Sequence, residues 1–253
     1  MSTSDAKASG SKANGTSIHL SLQGKGGVGK SFIASILAQY FGQRGDKVHC
    51  IDTDPVNNTF SQYKALHVQS LPLLQDGGVD PRGFDALMDR LLNEEGTFVV
   101  DNGASTFVPL RNYMLENDVV RVLKQAGRQL YVHTVLTGGQ AMLDTLHGFK
   151  TVADATPERN VIVWLNEYFG RIEFDGTPFG ELTTYKENRE KVFGSVLLAH
   201  RNPATFGKDL EAVISRKLTV AEAMRDARFS LMTRQRVITL QRDWFGQITA
   251  LGL

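Results

Sequence analysis

The chain has 253 residues, 42% hydrophobic and 22% charged, which suits one large α/β domain or two small ones. Its 28 basic and 27 acidic residues leave a formal net charge of +1, so no global field points to nucleic acid. The single cysteine, Cys50, excludes an internal disulfide framework, and no apolar run approaches the roughly 18 residues of a membrane span.

The first stretch, MSTSDAKASGSKANGT, is rich in Ser, Ala, Gly and Lys and has no apolar centre. It is expected to form a disordered tail over residues 1–16 rather than a signal peptide. From Ser17 short apolar runs alternate with longer helical periods, which predicts one α/β domain over residues 17–253. The fold expected is three-layered, with a mostly parallel sheet. Ser17 to Leu22 reads as the first strand and Lys30 to Arg44 as a helix with Ile33, Ile36, Leu37, Tyr40 and Phe41 on one face. Gly45 stops that helix, and Lys47 to Asp52 is the second strand. Cys50, within this strand, is expected to be a buried, reduced thiol, as in a reducing cytoplasm. Further strands are expected at Thr97 to Asp101, Gln129 to Val135, Asn160 to Asn166 and Ser195 to Ala199. Helices are expected at Arg82 to Leu92, Leu110 to Lys124, Gln140 to Ala153, Glu181 to Val192, Ala204 to Ser215 and Thr233 to Ala250. The stretch EYFGRIEFDGTPFG, Glu167 to Gly180, is long for a loop in such a unit and reads as a lid or contact surface.

The chemistry concentrates in LQGKGGVGKS, Leu22 to Ser31. Read as Gly24-x-Gly26-x-x-Gly29 it matches a dinucleotide fingerprint; read as Gly24-x-x-x-x-Gly29-Lys30-Ser31 it matches a phosphate-binding P-loop. The pair Lys30-Ser31 separates the two. A P-loop uses the lysine on the β- and γ-phosphates and the hydroxyl on Mg²⁺, whereas a dinucleotide fold needs neither. IDTDPVNNT, Ile51 to Thr59, adds two carboxylates and a polar strand end, where Asp54 and Thr59 can face a metal and a water. FVVDNGAS, Phe98 to Ser105, is an apolar run ending in Asp101, the form of a strand whose carboxylate holds Mg²⁺ or its waters. The order of these segments points to a nucleoside triphosphate. A NAD-dependent oxidoreductase, a small-molecule kinase or ligase, and a module that binds ATP with little hydrolysis are the alternatives.

GKGGVGKS resembles the deviant Walker A motif of the ParA/MinD group of P-loop ATPases, with DTDPVNNT similar to its first switch and VVDNGAS to its second. The resemblance implies a Mg²⁺-dependent ATPase that forms a homodimer around ATP, with Lys25 of one subunit reaching phosphates held by the other. A lysine so near Lys30 tolerates a like charge, and a triphosphate offsets that repulsion; the bland alternative is projection into solvent. By position, the resemblance assigns Gly24, Gly26, Gly27, Val28, Gly29 and Lys30 to the phosphates and Ser31 and Asp101 to the metal. It gives Asp54 the attacking water and Asn166 the adenine, an ordinary strand-end cap being the alternative for Asn166. His200 to Gly207 falls where relatives carry a further base-contacting loop. Asp52 reads as support for the strand end.

Further stretches, among them CIDTDPVNNTF, DNGASTFVPL, HTVLTGGQAMLDT, VWLNEYFG and MTRQR, resemble the TraL proteins of conjugative plasmids. That resemblance implies a cytoplasmic ATPase of DNA transfer, with a protein partner in the conjugative apparatus and a peripheral position at the inner membrane as the variant. DNGAS lacks the proline of the second switch in chromosome-partitioning relatives, so their partner and readout are not carried over. The six histidines show no metal-ligand spacing. The C-terminal stretch carries Val237, Trp244, Ile248 and Leu251 at helical spacing beside Arg234, Arg236 and Arg242. It is expected to pack on the core; membrane or DNA contact is the alternative.

Overall fold

A computed structural model describes residues 15–75 and 78–253. The expected tail lies largely on residues 1–14, outside the described residues. Thr16 is already part of the fold: it is 2% exposed and its hydroxyl donates to Glu95 Oε2 at 2.6 Å.

Six short apolar runs and one polar pair, Gln69–Ser70, become the strands of the sheet: β1 (Ser17–Ser21), β2 (Val48–Asp52), β3 (Gln69–Ser70), β4 (Thr97–Asp101), β5 (Gln129–Thr137), β6 (Val161–Asn166) and β7 (Val192–Leu198). All pair in parallel, in the order β7-β6-β5-β1-β4-β2-β3. The register sets Ser21, Asp101 and Asp52 side by side at the carboxyl ends of β1, β4 and β2. Alternation along each strand divides the core. Ile18, Leu20, Phe98 and Val100 face one layer of helices, α2 (Gly83–Asn93), α3 (Phe107–Glu116), α4 (Val119–Gln125) and α5 (Met142–Ala155). Val99, Ile162 and Trp164 face the other, built chiefly from α1 (Lys30–Arg44) and the C-terminal helix. The sheet is thus covered on both faces, as parallel sheets require.

On the second face a buried hydrogen-bonded chain crosses three strands. Trp164 Nε1–H donates to His133 Nδ1 at 2.9 Å, so His133 carries its proton on Nε2 and donates to His19 Nδ1 at 3.0 Å. Both histidines are 1% exposed, and burial holds both well on the neutral side.

Several elements differ from the sequence expectation. The helix expected from Leu110 to Lys124 is two, broken at Asp118, whose φ of 48° is left-handed. The helix expected from Glu181 to Val192 shortens to α6 (Thr183–Asn188), because Val192 is drawn into the edge strand β7. The expected helix from Ala204 begins as a π-turn, Pro203–Gly207, and continues as α7 (Lys208–Ser215). Helix α8 (Val220–Arg225), with a Thr219/Glu222 capping box, and the two-residue β3 were not anticipated. The long stretch from Glu167 is not structureless. It holds a hairpin pairing Glu173–Phe174 with Thr177–Pro178, and Ile172 and Phe179 are buried in the core.

Helix α9 (Leu231–Ala250) buries Val237, Leu240, Trp244 and Ile248, so its apolar stripe packs against the domain. Gln247 on this helix reaches the edge of the sheet, accepting from Leu197 N at 2.7 Å and donating to Leu197 O at 3.0 Å. Among the described residues no helix is long and apolar enough to cross a membrane.

Candidate nucleotide-binding site

The glycine-rich loop leaves the end of the central strand β1 and opens α1. Gln23, fully buried, anchors its start: Nε2 donates to Val135 O (2.9 Å) and Thr145 O (3.1 Å), tying the loop to β5 and α5. Gly29 precedes α1 with φ 108°, a conformation that glycine reaches without steric cost. No side chain caps this helix and its first turn holds no acidic residue. The free N–H groups and positive dipole end are therefore open to an anion.

Charged groups gather beneath that opening. Lys30 is 8% exposed, and its ammonium donates to Lys25 O at 2.9 Å, curled back along the loop. Burial lowers its pKa, opposed by the charges of Asp101 and Asp54. Asp101 is 2% exposed, and burial above all raises its carboxyl to about 7. The Ser31 hydroxyl and Lys30 favour its ionised form, while Asp52 and Asp54 oppose it. Its Oδ1 is buried without a hydrogen-bond partner. An orphaned carboxylate oxygen beside a serine hydroxyl is a fitting donor set for Mg²⁺, which binds through one or two protein oxygens plus phosphates.

The neighbouring aspartates do different work. Asp52 Oδ1 accepts from Asp54 N (3.0 Å) and Oδ2 from Ser61 N (2.9 Å), holding the loop after β2 in place. Asp54 Oδ1 accepts from Val56 N (3.0 Å) and Asn57 N (3.1 Å), and Oδ2 accepts a long bond from Asn57 Nδ2 (3.5 Å), so this carboxylate organises its own turn. Behind it lies Gly103, where a Cβ would stand 2.4 Å from Asp54 Cγ. No larger residue fits beneath Asp54.

Gly27, Val28, Gly29 and Asn166 line a cavity of about 660 Å³, walled further by Phe32, Tyr168, Phe169 and Trp244. The loop from His200 to Gly207 contributes Pro203 and Phe206 to the same cavity. Asn166 Nδ2 donates to Val28 O at 3.0 Å, and Oδ1 accepts from Tyr168 N at 3.1 Å. The side chain therefore caps the turn after β6 and steadies the phosphate loop, with one N–H and one lone pair left over. Lys25 stands apart from Lys30: its ammonium pairs with Asp144 Oδ2 at 2.8 Å, both side chains about half exposed. Asp144, Gln23 and the polar residues around Gly103 had no sequence signal, since their partners are brought near only by the fold.

Residues 21–225 match the model of the family described as CbiA, the CobQ/CobB/MinD/ParA nucleotide binding domain. The chain belongs to this family. Two TraL proteins of Escherichia coli are similar to this member: one is 44% identical over 232 residues, covering 91% of this chain and 96% of the relative. The other is 43% identical over 237 residues, covering 93% and 98%. Among solved structures, MinD of Pyrococcus horikoshii, complexed with Mg-ADP, superposes with a TM-score of 0.55 at 15% identity, covering 93% of this chain and 98% of MinD. The MinC:MinD complex of Aquifex aeolicus gives 0.52 at 12% identity, covering 91% and 96%. At such identities the likeness is one of fold.

Proposed function

We propose that the protein is a Mg²⁺-dependent ATPase whose ATP-bound form dimerises, acting as a cytoplasmic switch in conjugative DNA transfer. The observation that carries the reading is the cluster of buried Lys30, half-buried Ser31 and the unpartnered Asp101 Oδ1 beneath the uncapped start of α1. The setting in DNA transfer rests on the resemblance to TraL.

Ser31 and Asp101 would hold Mg²⁺, which supplies charge neutralisation across the β- and γ-phosphoryl oxygens. The N–H groups at the start of α1 and the Lys30 ammonium bind the phosphates. To reach them, Lys30 exchanges the Lys25 carbonyl for a stronger, charge-assisted partner. Asp54 orients the attacking water, Oδ2 exchanging its long bond from Asn57 Nδ2 for the water. Asn166 keeps one donor and one acceptor for a base at the cavity mouth. Lys25 exchanges Asp144 for a phosphate held by a second subunit, which costs little because an exposed ion pair contributes little. A protein of the conjugative apparatus is the expected partner.

The test is the solution mass of an Asp54→Ala variant by light scattering, with ATP–Mg²⁺ and then with ADP. A dimer with ATP alone, lost on adding Lys25→Ala, is the expected result. A monomer that retains ATP would overturn the cross-subunit role of Lys25 and favour a kinase or simple binding module. Failure to retain any nucleotide would overturn the site itself.

A further inference from the structure

Three fully buried polar side chains, Thr53, Asn102 and Thr106, stand where a packed core could have used apolar ones. Asn102 is at their centre. Its Oδ1 is 2.8 Å from the Thr106 hydroxyl and 3.1 Å from the Thr53 hydroxyl, and its Nδ2 donates to Gly103 O at 3.0 Å. Thr53 N also donates to Asp101 O at 2.9 Å, and its hydroxyl has that same carbonyl as a second acceptor at 3.0 Å. A hydroxyl has one proton, so Thr53 holds either the backbone of β4 or the Asn102 side chain at a given moment.

The neighbours of this cluster are the residues of the proposed reaction. Thr53 directly precedes Asp54, and Gly103, whose carbonyl Asn102 holds, is the residue on which the Asp54 carboxylate rests. Thr106 precedes Phe107, the first residue of α3, and the Phe107 ring lies 3.0 Å from where a Cβ would stand on Gly24. The hydrogen-bonded trio Thr106, Asn102 and Thr53 thus joins Phe107, the chain neighbour that stands over Gly24, to Asp54, the chain neighbour of Thr53. A buried polar network in which each of these side-chain polar atoms has a partner fixes one geometry more sharply than apolar packing does.

We infer that Asn102 is a positioning residue, a polar latch that couples the phosphate loop and the start of α3 to the placement of Asp54. The inference rests on the ATPase reading above and deepens it: the latch sets how fast bound ATP is hydrolysed and leaves its binding alone. Asn102 is fully buried and its side chain is bonded to Thr53, Thr106 and Gly103, so its loss removes no ligand contact.

The experiment compares Thr106→Val and Thr53→Val, which keep shape and remove the hydroxyl, with Thr106→Ser and Thr53→Ser, which keep the hydroxyl. Asn102→Ala is the direct variant. Steady-state ATP hydrolysis gives kcat, and titration with a fluorescent ATP analogue gives Kd. Displacing a water-orienting group by about an ångström costs on the order of a hundredfold, so kcat should fall tenfold or more while Kd stays within about threefold. The serine variants should recover most of the rate. In ¹⁵N-labelled protein, the amide shifts of Asp54, Val56 and Asn57 should move in the valine variants without nucleotide. Valine variants with unchanged kcat, or with kcat falling and Kd rising together and no rescue by serine, overturn the latch. A wild-type protein that binds ATP and does not hydrolyse it overturns the ATPase reading separately. The amide shifts then decide, and their invariance in Thr106→Val overturns the coupling itself.

Discussion

Replacing His133 by Gln isolates what the buried histidine chain does to acid stability. In the fold His133 accepts from Trp164 Nε1 and donates toward His19 Nδ1. An amide can do both, accepting on its oxygen and donating from its nitrogen, so His133→Gln retains the chain and removes the titration. Burial lowers the His133 pKa from 6.5 to about 3. The folded state therefore binds fewer protons than the unfolded chain in that window. Stability is complete above pH 6.5 and declines as the pH falls towards 3. Between pH 7 and pH 5 the loss amounts to about 2 kcal/mol for this one group. Because pH 5 lies well above the folded pKa, the figure depends almost wholly on the unfolded pKa. Asp101 acts in the opposite sense. Its carboxyl, raised to about 7, holds a proton in the folded state that the unfolded chain lacks, which adds about 2 kcal/mol over the same interval. The wild-type profile alone would hide both effects, so the comparison must be between proteins. Urea unfolding of wild type and His133→Gln at pH 7, 6 and 5 should show the variant gaining about 2 kcal/mol on the wild type across the series. A difference in stability that does not change with pH would refute the assignment of His133 as neutral in the fold.

Three further outcomes follow from the geometry. Asp144→Asn releases Lys25, so ATP-dependent dimerisation, read by light scattering, should begin at lower ATP than in the wild type; an unchanged or higher threshold would refute the role of this ion pair in holding Lys25. Cys50 is 6% exposed and burial pushes its thiol up to about 12, so Ellman's reagent at pH 8 should label it only after denaturation. Rapid labelling of the folded protein would contradict its burial. Trp244 is 4% exposed and meets Phe32 edge-on at 5.4 Å, joining α9 to α1 beside the cavity. Trp244→Ala should cost about 3–5 kcal/mol in urea unfolding, and a loss below about 1 kcal/mol would show that α9 contributes little to the core.

Much of the frame was legible because its signals are local. The P-loop fixed the first strand and α1, whose bounds from Lys30 to Arg44 match the expectation, and β4 over Thr97 to Asp101 matches as well. The errors cluster where tertiary contacts override periodicity. Apolar spacing runs through Asn117 and Asp118, yet the chain turns there because Leu110 and Met114 on one side, and Val119 and Leu123 on the other, must all reach the same core. Strand β3 is two exposed residues that pair with β2, and nothing in their composition marks a strand. Helix α8 carries a local signal, the Thr219–Glu222 capping box, in a segment of only six residues. At the site, the sequence marked Lys30, Ser31, Asp54 and Asp101 because their spacing is itself the motif. It did not reveal that Lys25 meets Asp144, 119 residues away, or that Asn102 bonds across to Thr53. A side chain's partner is legible only when both lie in one local pattern.

The two ends of the sheet have a bearing on how this protein can associate in a crowded cell. One outer strand, β3, is too short to template another strand, and at the other the Gln247 amide occupies both hydrogen-bonding groups of Leu197 as a neighbouring strand would. Growth of the sheet from one molecule into the next is thereby discouraged at both margins. The segments that follow the carboxyl ends of β1, β2, β4 and β5 expose Lys25, Val56, Val108 and Leu143 instead. A molecule shaped in this way offers, among the described residues, no long open sheet edge through which backbone pairing could lead irreversibly to aggregates.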